Sequence, residues 1–186
     1  PGSNNTALPS TVYDKAGTGH GTMTGFTKNT ATSNWVNSNR LVNENIALDF
    51  DGVDDYVNLG NDAILNPTSN ISLECWVSTP SLGTRQALIS KPYTPFEGPY
   101  YQYHLEIRES GAIYFALSIG GTRRVLDTTG NLIVANKWLH VAATYDGANM
   151  RIYINGVEHT TSTAVTGSMD NYTTDLYLGD NGIAPL

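Results

Sequence analysis

The stretch Ala47-Leu-Asp-Phe-Asp-Gly-Val-Asp-Asp-Tyr-Val57 joins two strand-like segments through an acidic turn and indicates the fold of the chain. Because side chains alternate between the two faces of a strand, we expect Leu48, Phe50 and Val53 to point inward. Gly52 supplies the backbone freedom that such a turn requires. Four aspartates fall within seven residues and are expected at the surface or at a sheet edge. Carboxylates this close together either extend into water or are neutralised by a cation.

The composition favours one all-β domain. The chain has 186 residues, of which 40% are hydrophobic, and this is enough for one sizeable core. Eighteen glycines, eight prolines and eleven tyrosines favour strands and turns over helices. The opening Pro1-Gly2-Ser3 resembles a remnant of cloning, so we assign residues 4–186 to the domain. The single cysteine, Cys75, permits no internal disulfide, and its alternating neighbours predict a buried thiol.

The charge of the chain argues against two classes of partner. The formal net charge is -7 and the pI is near 4.8, whereas nucleic-acid binding requires clustered lysine and arginine. Anionic membrane surfaces are disfavoured for the same reason. No apolar run approaches the roughly 20 residues of a membrane span, so we expect no membrane insertion. Few lysines with many asparagines, threonines and glycines are typical of a secreted protein or one at a cell or virion surface.

The rest of the chain shows short alternating segments separated by turns. Residues 101–108 and 112–119 flank Ser110-Gly111, which predicts a hairpin. Asn155-Gly156 is a strong hairpin signal and predicts the last turn of a three-strand meander that begins at Trp138. About ten or eleven short strands without a helical period predict a two-sheet antiparallel sandwich of the jelly-roll type.

Six motifs in this sequence resemble those of the laminin-G-like, concanavalin A-like jelly-roll domains. In chain order they are residues 47–57, Ile71-Ser-Leu-Glu-Cys-Trp-Val77, Leu88-Ile-Ser-Lys91, Trp138-Leu-His-Val-Ala-Ala-Thr-Tyr-Asp-Gly147, Ile152-Tyr-Ile-Asn-Gly156 and Leu176-Tyr-Leu-Gly179. The resemblance extends from about residue 13 to the end and implies the jelly-roll fold. It leaves the function open, because domains of this kind serve as carbohydrate-binding modules, as adhesion modules and occasionally as glucanases or lyases.

The sequence departs from the family pattern after Leu176-Tyr-Leu-Gly179. Similar domains usually continue into a closing strand with a Phe-x-Gly-x-Ile-Asp-Glu pattern, which does not follow here. We therefore expect a fragment of a longer protein with neighbouring domains, or a closing strand supplied from elsewhere. An exposed strand edge promotes pairing with other chains, so we expect reduced stability or intermolecular strand exchange.

The resemblance also implies a calcium site at the sheet rim near the Phe-Asp-Gly turn. It points to Asp51 as a ligand, with Asp54 and Asp55 beside it and Asp180 as a weaker candidate. Extracellular calcium modules use such carboxylates at affinities of order 10⁻⁴ to 10⁻³ M. The alternative is that these side chains close turns by accepting backbone N–H groups.

An aromatic and polar segment is the candidate ligand site. Sugars stack their C–H faces on aromatic rings, and their hydroxyls bond planar polar side chains. The candidate residues are Tyr93, Phe96, Tyr100, Tyr101, Gln102, Tyr103 and His104, with Arg123 and Arg124 approaching the same sheet face. The alternative is that Tyr101 and Tyr103 are ordinary core tyrosines.

The spacing of catalytic residue types is poor. Glucanases of the resembling class carry a Glu-x-Asp-x-x-Glu strand with its carboxylates on one sheet face, and no such spacing occurs here. Tyr101-Gln-Tyr-His104 is similar to the Tyr/His pairs of lyases but lacks a convergent arginine in its motif. We predict a non-catalytic carbohydrate-binding module. In one form of this hypothesis, calcium assists the binding of the carbohydrate. A protein-binding adhesion or scaffold module, and an unusual polysaccharide lyase or glucanase, are the alternatives.

Overall fold

The computed structural model describes residues 11–13, 19–24, 34–36, 47–93, 98–162 and 164–182, and for 34–36 it gives the backbone. The described residues form fourteen strands and a short 3-10 helix, Ala63–Leu65. The strands are β1 (Thr11–Val12), β2 (Gly21–Thr24), β3 (Asn34–Val36), β4 (Ala47–Asp49), β5 (Tyr56–Asn58), β6 (Ile71–Val77), β7 (Gln86–Pro92), β8 (Tyr101–Ile107), β9 (Ile113–Ile119), β10 (Thr122–Asp127), β11 (Leu139–Tyr145), β12 (Met150–Ile154), β13 (Val157–Thr161) and β14 (Tyr177–Leu178).

Two antiparallel sheets build the sandwich. The larger sheet has eight strands in the order β1-β2-β5-β14-β7-β8-β9-β10, and the smaller has four in the order β13-β12-β11-β6. Strands β3 and β4 pair with each other in a separate sheet. Neighbours that are distant in sequence, such as β5, β14 and β7, are the mark of a jelly roll rather than of a simple meander. The all-β jelly-roll prediction is confirmed.

The core lies between the two sheets. Strands β8 and β9 are buried along their whole length because they occupy interior positions of the larger sheet. Alternate residues of four strands supply most of the apolar contact: Leu105, Ile107, Ile113, Phe115, Leu117, Val141, Ala143, Tyr145, Met150 and Ile152. Burial of these side chains is the main favourable term for folding, since disulfides are absent.

Both predicted hairpins are present. Ile107 of β8 pairs with Ile113 of β9 across the Ser110-Gly111 turn. Strands β11, β12 and β13 are consecutive neighbours and form the predicted meander. At its last turn Asn155 has φ 51° and Gly156 has φ 79°. Two successive positive φ values are what a two-residue hairpin turn of right-handed twist requires.

The acidic turn differs from its prediction in two positions. Val53, which was expected to point inward, is 82% exposed, and Asp55, which was expected at the surface, is buried. The Asp51 side chain accepts the Val53 N–H at 2.8 Å, and this tight turn directs Val53 outward. Asp55 in turn accepts the Asp51 N–H at 2.8 Å, which holds its carboxylate inside the turn. Strands β4 and β5 on either side belong to different sheets.

Cys75, which was predicted to be buried, is half-buried in the structure, and its thiol tests the packing of the sandwich. Cys75 of β6 lies opposite the fully buried Val141, and burial, followed by the Glu74 charge, raises the pKa of its thiol from 9.0 to about 11. Because the thiolate is the reactive form, we expect the native thiol to react with Ellman's reagent at pH 8 about 100-fold more slowly than an unperturbed cysteine. The same protein in guanidinium chloride is the control. Equal rates in the two states would contradict this packing.

Candidate ligand-binding face

One face of the larger sheet carries polar and aromatic side chains instead of core residues. His104 pairs with Ala116 and Glu106 pairs with Tyr114 across β8 and β9. Directly paired residues point to the same side of a sheet, and the intervening residues of both strands point into the core. We call the opposite side the outer face. Its main side chains are Tyr101, Gln102, His104, Glu106, Tyr114, Ser118 and Arg123.

A β-bulge places Tyr101 on the outer face. Lys91 pairs with Tyr103 and Pro92 with Tyr101, so Gln102 is an extra residue in β8. A bulge changes the direction of the side chains next to it. The Tyr101 ring consequently stacks on the His104 ring, with centroids 4.1 Å apart and planes 11° apart. Regular alternation, as the sequence suggested, would have put Tyr101 on the same face as Tyr103.

Glu106 is the centre of a buried charge cluster on the outer face. One of its oxygens lies 3.0 Å from His104 Nε2, and the other lies 3.3 Å from Arg85 Nη2 and 3.3 Å from Arg108 Nε. Burial lowers the pKa of His104 below 6.5, and the hydrogen bond to Glu106 opposes part of that shift. A neutral His104 that donates from Nε2 keeps Nδ1 as an acceptor. This Nδ1 is buried and has no hydrogen-bond partner among the described residues.

Two arginines lie against tyrosine rings of the outer face. The guanidinium carbon of Arg108 is 3.9 Å from the centroid of the Tyr114 ring, and Arg108 Nε is also 3.4 Å from an Asp127 oxygen. The guanidinium carbon of Arg123 is 4.9 Å from the centroid of the Tyr100 ring. Tyr100 is half-buried and has a positive φ of 75°, an uncommon conformation for a bulky residue that sets the direction of its ring.

The segment before β14 borders the outer face. Tyr172 donates its backbone N–H to the Gln102 side-chain oxygen at 3.1 Å, and its hydroxyl is 2.9 Å from Ser118 Oγ. Its ring lies 4.4 Å from that of Tyr93, centroid to centroid. Ser118 also donates to the Asp170 carboxylate. The Gln102 amide nitrogen, in contrast, is buried without a hydrogen-bond partner among the described residues.

The structure brings together only some of the predicted ligand residues. Tyr101, Gln102, His104 and Arg123 share the outer face, with Tyr100 and Tyr93 beside it. Tyr103 points into the core, where its hydroxyl donates to the Leu65 carbonyl at 2.9 Å. Arg124 pairs with the core residue Leu117, so it lies on the side opposite to Arg123. Phe96 lies outside the described residues.

Sequence reasoning missed several side chains of this face. They are Arg85, Glu106, Arg108, Tyr114 and Tyr172. Glu106 and Tyr114 could have been found, because the alternation that placed His104 on one face of the β8–β9 hairpin places them beside it. Tyr172 and Arg85 lie in loops, where no periodic pattern indicates direction.

The acidic turn forms a separate group of carboxylates. One oxygen each of Asp51, Asp54 and Asp55 lies within 4.8 Å of the others. Calcium binds carboxylate oxygens at about 2.3 to 2.6 Å, so oxygens on opposite sides of one ion are about 5 Å apart. The three aspartates therefore fit calcium in donor type and spacing. Asp180 is not part of this group, and its carboxylate accepts the Gly182 N–H at 3.2 Å.

Comparisons with solved structures show the same fold at low sequence identity. Domain 4 of AbnA, a GH43 extracellular arabinanase from Geobacillus stearothermophilus in complex with arabinotriose, matches with a TM-score of 0.59 and 18% identity, over 89% of this chain and 75% of that one. The Ruminococcus gnavus IT-sialidase CBM40 bound to alpha2,3 sialyllactose matches with a TM-score of 0.50 and 17% identity, over 64% and 69%.

The binding domain of Paraclostridial Mosquitocidal Protein 1 matches with a TM-score of 0.57 and 14% identity, over 82% of this chain. The chain spans 39% of that structure's length. No curated protein sequence matches the chain significantly. Among the described residues, no helix is both long enough and apolar enough to span a membrane.

The family comparison covers most of the sandwich. Residues 51–184 match the family described as the concanavalin A-like lectin/glucanases superfamily, and this range contains ten of the fourteen strands, β5 to β14. The match agrees with the two-sheet architecture and with the motifs that run from the acidic turn to β14. The chain belongs to the concanavalin A-like lectin/glucanases superfamily.

Proposed function

We propose that this chain is a non-catalytic module of a secreted or surface protein and that it binds carbohydrate on the outer face. The observation that carries this proposal is the combination of a half-buried ring, Tyr100, with the Arg123 guanidinium 4.9 Å from it and buried polar groups beside it. An aromatic ring offers a surface for the C–H face of a sugar, and arginine offers several donors in a fixed geometry.

Two of the similar solved structures support a sugar as the ligand. Their names record arabinotriose in one and sialyllactose in the other. At 17 to 18% identity they share the fold with this chain, so the identity of its ligand has to come from its own residues.

The chemistry of the outer face argues against glycoside hydrolysis. A glycosidase needs two carboxyl groups that flank a bound sugar, one of them as an acid. Glu106 is buried, and both of its oxygens already contact His104, Arg85 and Arg108. A buried carboxylate whose oxygens are occupied in this way is not free to approach a bound sugar. His104, beneath the Tyr101 ring, is likewise fully buried.

We propose calcium as a stabilising ion at Asp51, Asp54 and Asp55. Calcium bound there would neutralise three like charges in one turn. The backbone N–H groups of Val53 and Asp51 already close this turn by hydrogen bonds to carboxylates, and these bonds do not require the ion. The role is structural, because the turn precedes β5, which lies three strands away from β8 in the larger sheet.

A protein partner is the second candidate. The Tyr100 ring and the Arg123 guanidinium are of the residue types that dominate protein interfaces. In this case Tyr100→Ala would weaken association with the protein partner and leave sugars without effect.

Removal of the Tyr100 ring tests the sugar proposal. We expect the intact chain to bind at least one ligand on a glycan array with calcium supplied. Tyr100→Ala should weaken that binding about 2- to 13-fold, because loss of an aromatic stacking partner costs about 0.5–1.5 kcal/mol. Tyr153→Ala is the control, since Tyr153 is also half-buried but lies on the smaller sheet. An array without any hit, with calcium and with chelator, would contradict the proposal and favour a protein partner.

Calcium removal tests the acidic turn. If the dissociation constant is 10⁻⁴ to 10⁻³ M, 10 mM calcium should stabilise the fold by about 1.4 to 2.7 kcal/mol relative to a chelator. Denaturant melts with calcium, with magnesium and with EDTA measure this difference. Asp51→Asn should abolish it, whereas Asp180→Asn should not, because Asp180 lies outside the group of three. Identical melting curves in all three conditions would contradict the calcium proposal. The aspartates would then serve only to close the turn by accepting backbone N–H groups.

A further inference from the structure

The outer face carries three arginines, and two of them, Arg85 and Arg108, form ion pairs with described residues. Arg85 contacts Glu106 and Glu109, at 3.3 and 3.5 Å, and Arg108 contacts Glu106 and Asp127. Arg123 has no carboxylate within ion-pair distance among the described residues, although it extends over the same sheet face. Its charge is therefore available to a ligand.

The cross-strand partner of Arg123 is hydrogen-bonded to an acidic residue, Asp170, that has further donors of its own. Arg123 pairs across the strands with Ser118, and Ser118 Oγ donates to the Asp170 carboxylate. The same Asp170 oxygen accepts the Gly121 N–H at 2.8 Å and faces the Tyr172 hydroxyl at 3.3 Å. Asp170 is thus held at the β9–β10 turn by three donors and makes no ion pair with Arg123 within the described part of the chain.

A phenol belongs to the aromatic group against which Tyr100 packs, because Tyr114 clusters with Tyr101 and Ala116 on the outer face. The hydroxyl of Tyr114 makes no hydrogen bond to any described residue, although its ring is buried beneath Arg108. Burial raises the pKa of Tyr114, and the charges of Glu106 and Asp127 raise it further, whereas the charges of Arg123 and Arg85 lower it. The phenol therefore stays protonated as a donor at neutral pH.

We propose that the sugar bound on the outer face carries a carboxylate, as a uronic or other acidic sugar does, and that Arg123 and the Tyr114 hydroxyl bind that carboxylate. This inference rests on the proposed carbohydrate function and narrows its ligand class. A guanidinium presents parallel N–H donors that match the two oxygens of a carboxylate, and a phenol adds a third donor. The Tyr100 ring, 4.9 Å from the guanidinium, lies beside the carboxylate position where a sugar ring would stack.

The net charge of the chain does not oppose such binding at close range. The formal charge of -7 repels anions at a distance. Salt at physiological strength screens that repulsion beyond about 8 Å, whereas a contact with Arg123 is shorter than the screening length. At 1 M salt the screening length falls to about 3 Å, so binding of the acidic sugar should weaken there, and neutral sugars should show no such dependence.

Matched pairs of ligands test this inference in the intact chain. The probes are trigalacturonate with its methyl ester, and sialyllactose with its methyl ester, titrated by calorimetry in the presence of calcium. We expect at least one acid to bind about tenfold or more tighter than its neutral partner, since hydrogen bonds to charged groups are about twice as strong as neutral ones. Arg123→Gln should reduce that preference to about twofold or less. Tyr114→Phe should have a smaller effect and reduce a tenfold preference to about threefold.

Arg124→Gln is the matched control. It removes the same charge one residue away, on the opposite side of β10, and should leave the preference unchanged. Both arginines are exposed, so neither variant should affect folding, which a melting curve checks. Equal binding of acidic and neutral partners, or an equal loss in Arg124→Gln, overturns the carboxylate inference and leaves the carbohydrate proposal standing. Failure of every sugar, neutral ones included, overturns both.

Discussion

The burial of Glu106 determines how the outer face is arranged. Moving a carboxylate out of water costs several kcal/mol unless cations and hydrogen bonds surround it. Here the compensation comes from His104 on the same strand, from Arg108 after that strand and from Arg85 before β7. The contact with Glu106 fixes the position of each of these three side chains. Arg108 consequently covers Tyr114, and His104 supports the Tyr101 ring. Replacement of Glu106 alone would remove the hydrogen-bond partner of the buried His104 and one of the two carboxylates that each arginine contacts, so this carboxylate is a structural requirement of the site.

The parts of the fold that the sequence predicts well are those that depend on local patterns. The β8–β9 hairpin and the β11–β13 meander follow from period-two alternation and from turn residues with positive φ, as at Asn155 and Gly156. Six motifs in register were enough for the jelly roll. The core face was also predictable for Leu105 and Ile107, since every second residue of a strand shares a face.

The outer face was harder to predict because its geometry depends on contacts between distant segments. The extra residue Gln102 moves Tyr101 to the face of His104, and a bulge of this kind is set by the pairing with β7 rather than by the strand's own sequence. Tyr172 reaches the site from a loop that is 70 residues away from Gln102 in the sequence. Val53 and Asp55 exchanged their expected environments because hydrogen bonds within the turn outweighed the apolar character of one valine.

The order of strands also separates the two proposed sites from each other. Strand β5, which follows the acidic turn, is three strands from β8 in the larger sheet. At about 4.8 Å between neighbouring strands, this corresponds to about 14 Å, which is longer than any direct contact between an ion and a sugar on β8. An ion at the turn would therefore change the stability of the sheet without touching the ligand. A calcium effect on sugar affinity that persists far below the melting temperature would require a sugar position nearer to β5 than the outer face around His104.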